Sequence, residues 1–189
     1  QVISFIEENH SFGVNIHISD EREQLLETGG GLKKAGTFLK GSDPILIYNV
    51  DVISNLDLNV LLHYHQQQNA LATLVVRSRE TSRYLMFDND LQLTGWRNFS
   101  NGETLISRLD SFEKSHPMAF SGIHLIQPKL LDLITEEGKF SIMDLYLRLA
   151  KTQRIHAFVD TSGIWMDLGK PDQLQAAEIL FRDKAGSGI

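Results

Sequence analysis

The sequence predicts an α/β fold, a mixed, mostly parallel sheet flanked by helices. Three observations lead there. Short apolar, β-branched runs alternate with stretches of helical spacing along the chain. The run Ile45 to Val50 is continuously apolar or aromatic apart from Asn49, as expected of a strand buried on both faces, and it ends on Asp51. The 189 residues are 42% hydrophobic and 22% charged, enough for one sizeable core, and no repeat or linker divides residues 1–189.

Each element has a local reason. Val2, Ile3, Phe5 and Ile6 open the chain on a helix-like pattern, and Phe12 to Ile18 alternates like a strand. Asp20 to Thr28 is ambiguous. Leu32, Ala35, Phe38 and Leu39 have helical spacing, after which Gly41-Ser-Asp-Pro44 makes a turn. Asp57 can cap a helix from Leu58 to about Asn69, and Ala72 to Ser78 reads as a strand. Strands over Arg83 to Phe87 and Leu91 to Gly95 flank a hairpin turn at Asp88-Asn-Asp90, and Trp96 to Gly102 reads as a polar loop. Met118 to Ile126 is a strand, and Pro128 starts a helix over Lys129 to Ile134. Ser141-Ile-Met-Asp144 resembles a capping box opening a helix to Ala150. Strands follow at Ile155 to Val159 and Ile164 to Leu168, then a helix over Asp172 to Phe181 and a fraying tail at Ala185 to Ile189.

Composition excludes several function classes. Eighteen Lys and Arg stand against 24 Asp and Glu, for a net charge of −6, and no basic run is present, so no nucleic acid is expected as a partner. Cysteine is absent, which removes disulfides, thiolate metal sites and a cysteine nucleophile and is compatible with a cytoplasmic location. No apolar run reaches the ~18–20 residues of a membrane span.

The candidate chemistry lies at strand ends and glycines. In open α/β sheets ligands gather at the carboxyl ends of strands, and Asp51 and Asp167 each follow a short apolar strand. Two such carboxylates can hold Mg²⁺, which usually takes one or two carboxylates plus phosphate oxygens; either can equally cap a turn. Glu27, Gly29, Gly30 and Gly31 make a loop whose backbone N–H groups could meet a base or a phosphate, or simply start a helix. Arg77, Arg79 and Arg83 form a basic group that could meet a phosphate or line a solvated strand edge. His63 and His65 point apart on their helix, and no nucleophile elbow surrounds Ser121.

Five short motifs in order carry a resemblance: Leu26-Glu-Thr-Gly-Gly-Gly-Leu32, Ile47-Tyr-Asn-Val-Asp51, Phe120-Ser-Gly-Ile-His124, Phe140-Ser-Ile-Met-Asp144 and Trp165-Met-Asp-Leu-Gly-Lys-Pro171. With them the chain resembles the sugar-phosphate nucleotidylyltransferases, in particular the mannose-1-phosphate guanylyltransferase and N-acetylmuramate-1-phosphate uridylyltransferase kind. The resemblance implies the Rossmann-like nucleotide-diphospho-sugar transferase fold. It implies that an NTP (GTP or UTP) and a sugar 1-phosphate give an NDP-sugar and pyrophosphate with Mg²⁺ as cofactor. Asp51 and Asp167 match the family's metal aspartates. Glu27 and Gly29 to Gly31 match its nucleotide-contacting loop, and Gly122 matches a backbone lining the sugar site.

The chain also departs from the family. The N-terminal G-x-G-T-R segment and its following lysine, which cradle the triphosphate, do not occur in these residues. Lys170 stands where the last motif usually has threonine, Leu85 where some relatives have glycine, and Arg97 where a lysine approaches the sugar phosphate. The expectation is therefore the C-terminal portion of a nucleotidyltransferase domain, lacking its N-terminal strand or strands and inactive by itself. Bared apolar surface would then be covered by a homodimer or a partner segment. Two other readings compete: a glycosyltransferase, to whose D-x-D signature Asn49-Val-Asp51 is close, and a non-catalytic nucleotide or sugar-phosphate-binding module.

Overall fold

The computed structural model describes residues 1–39, 41, 43–169, 173–175 and 177–179. Its helices are α1 (Val2–Glu8), α2 (Glu27–Ala35), α3 (Leu58–Gln68), α4 (Leu109–Phe112) and α5 (Ile142–Leu149), with 3₁₀ turns at His10–Gly13 and Pro128–Leu133. Its strands are β1 (Ile45–Tyr48), β2 (Val52–Ser54), β3 (Ala72–Arg77), β4 (Arg83–Phe87), β5 (Leu93–Asn98), β6 (Thr104–Ile106), β7 (His116–Ile126), β8 (Ile155–Val159) and β9 (Trp165–Asp167).

Seven strands form one sheet in the order β6-β5-β4-β7-β3-β8, with β1 also on β7; β2 and β9 form a two-stranded ladder. The eleven-residue β7 organises the sheet. It runs antiparallel to β1, β3 and β4, and among the described residues only β3 and β8 are parallel neighbours. The expectation of a mostly parallel sheet is thus corrected: the sheet is mixed and mainly antiparallel. The hairpin β4-β5-β6 and the return along β7 need no crossover helix, so nothing forces those strands to run the same way.

Alternation along the central strands separates two apolar layers. Ala72, Leu74 and Val76 of β3 face Leu32 of α2 and Leu145, Tyr146 and Leu149 of α5. Val75, Ile123 and Leu125 face the opposite way, against Leu61 of α3 and Val52 of β2. The caps are as the sequence indicates: Asp57 accepts from the Asn59 amide at 2.8 Å, and Ser141 from the Met143 amide at 3.2 Å. Asn69 ends α3 in the left-handed region.

Several local expectations are overturned. Phe12 to Ile18 forms no strand; His10, Ser11 and Phe12 all have positive φ, and no described strand lies alongside to reward the β-branched pattern. The three glycines sit inside α2 rather than before it. Trp96, Arg97 and Asn98 belong to β5, because Leu105 and Thr104 of β6 pair with Trp96 and Arg97. β1 is not buried on both faces: Leu46 is 39% and Tyr48 37% exposed, and β7 is its one strand neighbour among the described residues. Val2, Phe5, Phe12, Val14 and Leu25 are exposed as well. In the last helix expected, residues 173–175 and 177–179 are helical; its remaining residues, Lys170, Pro171 and the tail lie outside the described residues.

Candidate active site

The site is organised by a bulge in β7. β3 and β7 pair Leu74 with His124 but Val76 with Phe120, so Ser121 to Ile123 span a single β3 position, Val75. Gly122 has φ +77°, which side chains rarely adopt. Three successive carbonyls of the bulge accept hydrogen bonds from three different segments. Phe120 O accepts from the Arg79 guanidinium at 3.0 Å. Ser121 O accepts from the Trp165 indole N–H at 2.9 Å. Gly122 O accepts from the Asn49 amide at 2.9 Å.

Two of those donors stand two residues before the candidate carboxylates. Asn49 leads to Asp51 and Trp165 to Asp167, so one stretch of β7 main chain fixes both approaches. The β2–β9 ladder completes the arrangement by setting Val52 opposite Asp167. The Leu168 amide donates to Asp51 O at 2.7 Å, and the Gly169 amide to the Asp167 carboxylate at 3.0 Å. A Cβ built on Gly169 would meet Asp167 Oδ1 at 3.1 Å and Asp51 Oδ2 at 3.9 Å, so both carboxylates border one small space over a bare backbone. Both side chains are exposed to solvent. Among the described residues no third His, Asp, Glu or Cys completes a protein-only cage.

The other candidates lie as follows. Gly122 is at the bulge itself, and a side chain there would meet Asn49 Nδ2 at 3.0 Å and Val52 Cγ2 at 3.1 Å. Gly29 and Gly30 are buried, and both amides donate to Phe140 O, at 3.0 and 3.3 Å. Their lack of side chains lets α2 approach the Phe140 ring and the Gly138 carbonyl. Gly31 faces the Glu21 carboxylate. Glu27 pairs with Lys139 at 3.3 Å. The amides of Gly29 and Gly30 are therefore committed within the protein. Arg97 lies over the Phe112 ring at 5.0 Å and the Phe99 ring at 5.9 Å, and no hydrogen bond joins it to the aspartate pair.

The basic group Arg77, Arg79 and Arg83 is divided by the fold. Arg77 pairs with the buried Asp160 at 2.6 Å. Arg83 lines a cleft of about 430 Å³ with Trp96, Asn98 and Ser141. Arg79 alone reaches the bulge, with its guanidinium 4.6 Å from the Trp165 ring centre. Burial pushes its pKa down, and the charge of Asp167 works against that fall. Sequence reasoning had no means to select Arg79 among the three, since the choice is made by the bulge carbonyl and the indole.

The chain matches the nucleotidyl transferase family over residues 2–183 and belongs to it. It is similar to N-acetylmuramate alpha-1-phosphate uridylyltransferase from Caulobacter vibrioides, 31% identical over 170 residues that cover 86% of this chain and 64% of that protein. It is similar to mannose-1-phosphate guanyltransferase from Pichia angusta, 32% identical over 178 residues, covering 90% of this chain and 45% of that protein. The chain thus spans about half to two-thirds of the length of these relatives. In fold it is similar to HddC from Yersinia pseudotuberculosis, with a TM-score of 0.71 at 19% identity, covering 95% of this chain and 73% of that one. HddC has also been solved in complex with GMP-PN.

Proposed function

We propose that this chain serves sugar-1-phosphate nucleotidylyl transfer. A sugar 1-phosphate oxygen attacks the α-phosphorus of GTP or UTP, a new P–O bond forms, the bond between the α-phosphorus and the oxygen bridging to the β-phosphorus breaks, and that oxygen leaves as part of pyrophosphate. The observation that carries the proposal is the convergence of Asp51 and Asp167 on one space over Gly169. Two exposed carboxylates fit Mg²⁺, an oxygen-seeking ion that completes its shell with water and substrate phosphate. Bound there, the ion would offset phosphate charge and polarise a phosphoryl oxygen. The protein's part is positioning, and no side-chain nucleophile is required.

In this reading the buried Gly122 acts by letting β7 bulge against Asn49 beneath the sugar site, the exposed Glu27 and half-buried Gly31 are the part of α2 that would meet the base, and Gly29 and Gly30, packed on Phe140, position them. Arg97 is the cation proposed for the sugar phosphate. Without a glycine-rich triphosphate loop, these 189 residues are expected to bind ligand but not release pyrophosphate. The open edge of β1 and the exposed Leu46 and Tyr48 favour a homodimer. A cytoplasmic setting suits the soluble substrates.

Calorimetric titration of GTP and UTP in the presence of Mg²⁺ tests the proposal. We expect binding that Asp51→Asn or Asp167→Asn weakens by about 10-fold or more, since each removes a charged ligand. Affinity equal to that of the wild type in both variants, or no affinity of the wild-type chain for either nucleotide, would overturn it.

A further inference from the structure

Resting on the nucleotidyl-transfer reading, we propose that Arg79 is a phosphate-binding residue of this site, presenting its guanidinium to a phosphate group held beside Asp51 and Asp167. A guanidinium carries five N–H donors in a rigid fork. One Nη of Arg79 is spent on Phe120 O at 3.0 Å. Its Nε is buried and has no hydrogen-bond partner among the described residues. A buried donor left unpaired is costly and calls for an explanation, a bound ion or water among them.

The orientation of Arg79 is fixed from several sides. The Trp165 indole lies under the guanidinium and is itself held by the hydrogen bond to Ser121 O. The Tyr84 hydroxyl donates to Arg79 O at 3.3 Å and accepts from the Thr81 amide at 3.1 Å, which ties down the chain on its C-terminal side. Ser121 Oγ, next along the bulge, is a second buried polar atom with no partner among the described residues.

Charge placement points the same way. Arg79 packs on Trp165, two residues before Asp167, yet Arg79 and Asp167 form no ion pair among the described residues. The carboxylates are left open to a cation and the guanidinium to an anion. A phosphate group on its divalent ion offers both charges at once. It can come from the triphosphate or from the sugar 1-phosphate.

The test compares wild-type protein with Arg79→Gln and Arg79→Lys. GTP, UTP and mannose 1-phosphate are each titrated calorimetrically with Mg²⁺ present, and thermal melting is recorded for every variant. We expect Arg79→Gln to weaken phosphate-bearing ligands by roughly 10–100-fold, the worth of a charge-assisted contact, with Arg79→Lys intermediate. Loss confined to the nucleotides assigns the triphosphate; loss confined to mannose 1-phosphate assigns the sugar phosphate. In a Trp96→Phe background, where Trp165 is the sole indole of the two tryptophans, ligand should also shift the emission of Trp165. That shift should vanish with Arg79→Gln, an effect that a purely structural clamp would not produce.

Unchanged affinity in a folded Arg79→Gln protein overturns the assignment while leaving nucleotidyl transfer standing. If that variant does not fold, unchanged affinity in Arg79→Lys overturns it instead. Wild-type protein that binds none of the three ligands overturns both readings together.

Discussion

The Arg77 guanidinium and the Asp160 carboxylate meet at 2.6 Å, with the aspartate side chain only 2% exposed. Arg77 also bonds the Ser162 carbonyl, and Asp160 accepts from the Ser162 amide at 2.8 Å. The pair thus anchors the end of β3 to the loop that delivers Trp165 and Asp167. Arg77→Met should destabilise the protein by about 3 kcal/mol, because it strands a buried carboxylate. The double variant Arg77→Met, Asp160→Leu should recover most of that loss. Urea unfolding of the two single variants and the double variant gives the answer through a cycle of differences.

Gly122→Ala is expected to be worse than its one added methyl suggests. The residue stands at φ +77°, and the new carbon would press on Asn49 and Val52. We expect a loss of about 1–3 kcal/mol from backbone strain, with weaker Mg²⁺-dependent nucleotide binding as Asn49 and hence Asp51 move. Melting and calorimetry on the same samples separate the two effects.

Gly29→Ala sets intrinsic propensity against packing. Alanine in a helix normally gains up to about 1 kcal/mol over glycine. Here the added carbon collides with the Phe140 ring and lies 3.0 Å from its carbonyl, so the net effect should be destabilising. Gly163→Ala is the control, since nothing among the described residues lies within 4 Å of its Cβ position. Its melting temperature should stay within about 1–2 °C of wild type, as surface substitutions usually do.

Two buried histidines make the fold acid-sensitive. Burial lowers His65 to about 4 and His124 to about 3. Gln127 lies 2.8 Å from His65 Nε2 and Thr73 2.7 Å from its Nδ1, while Tyr146 bonds His124 at 2.7 Å. Both rings are therefore neutral in the folded state and bind protons readily only on unfolding. Their contribution is complete above the unfolded value of about 6.5 and is lost as pH falls toward 4 and 3, at up to about 1.4 kcal/mol per pH unit for each ring. Urea midpoints between pH 7 and 4 should fall with this slope, and His65→Gln should flatten it.

Much of this was written in the sequence. Mostly apolar runs marked β3 and β8, Asp57 and Ser141 marked helix starts, and two aspartates following apolar runs marked the candidate site. Strand direction was not legible, because a hairpin and a crossover can join strands of identical composition. Phe12 to Ile18 shows the limit of propensity: an alternating pattern needs a neighbour, and no described strand lies beside it. The bulge escaped notice for another reason. Its three contacts are made by carbonyls of residues 120–122, groups every residue possesses, and only Gly122 left a trace in the letters.

Because main-chain oxygens rather than side chains tie Asn49, Trp165 and Arg79 together, the segment from Ala119 to Ile123 is a ruler. Exchanging one side chain at Phe120 or Ser121 leaves the spacing of its marks intact. Inserting or deleting a single residue would shift all three marks at once and carry both acidic groups out of alignment. Across variants of this chain, that stretch should therefore tolerate changes of letter far better than changes of length.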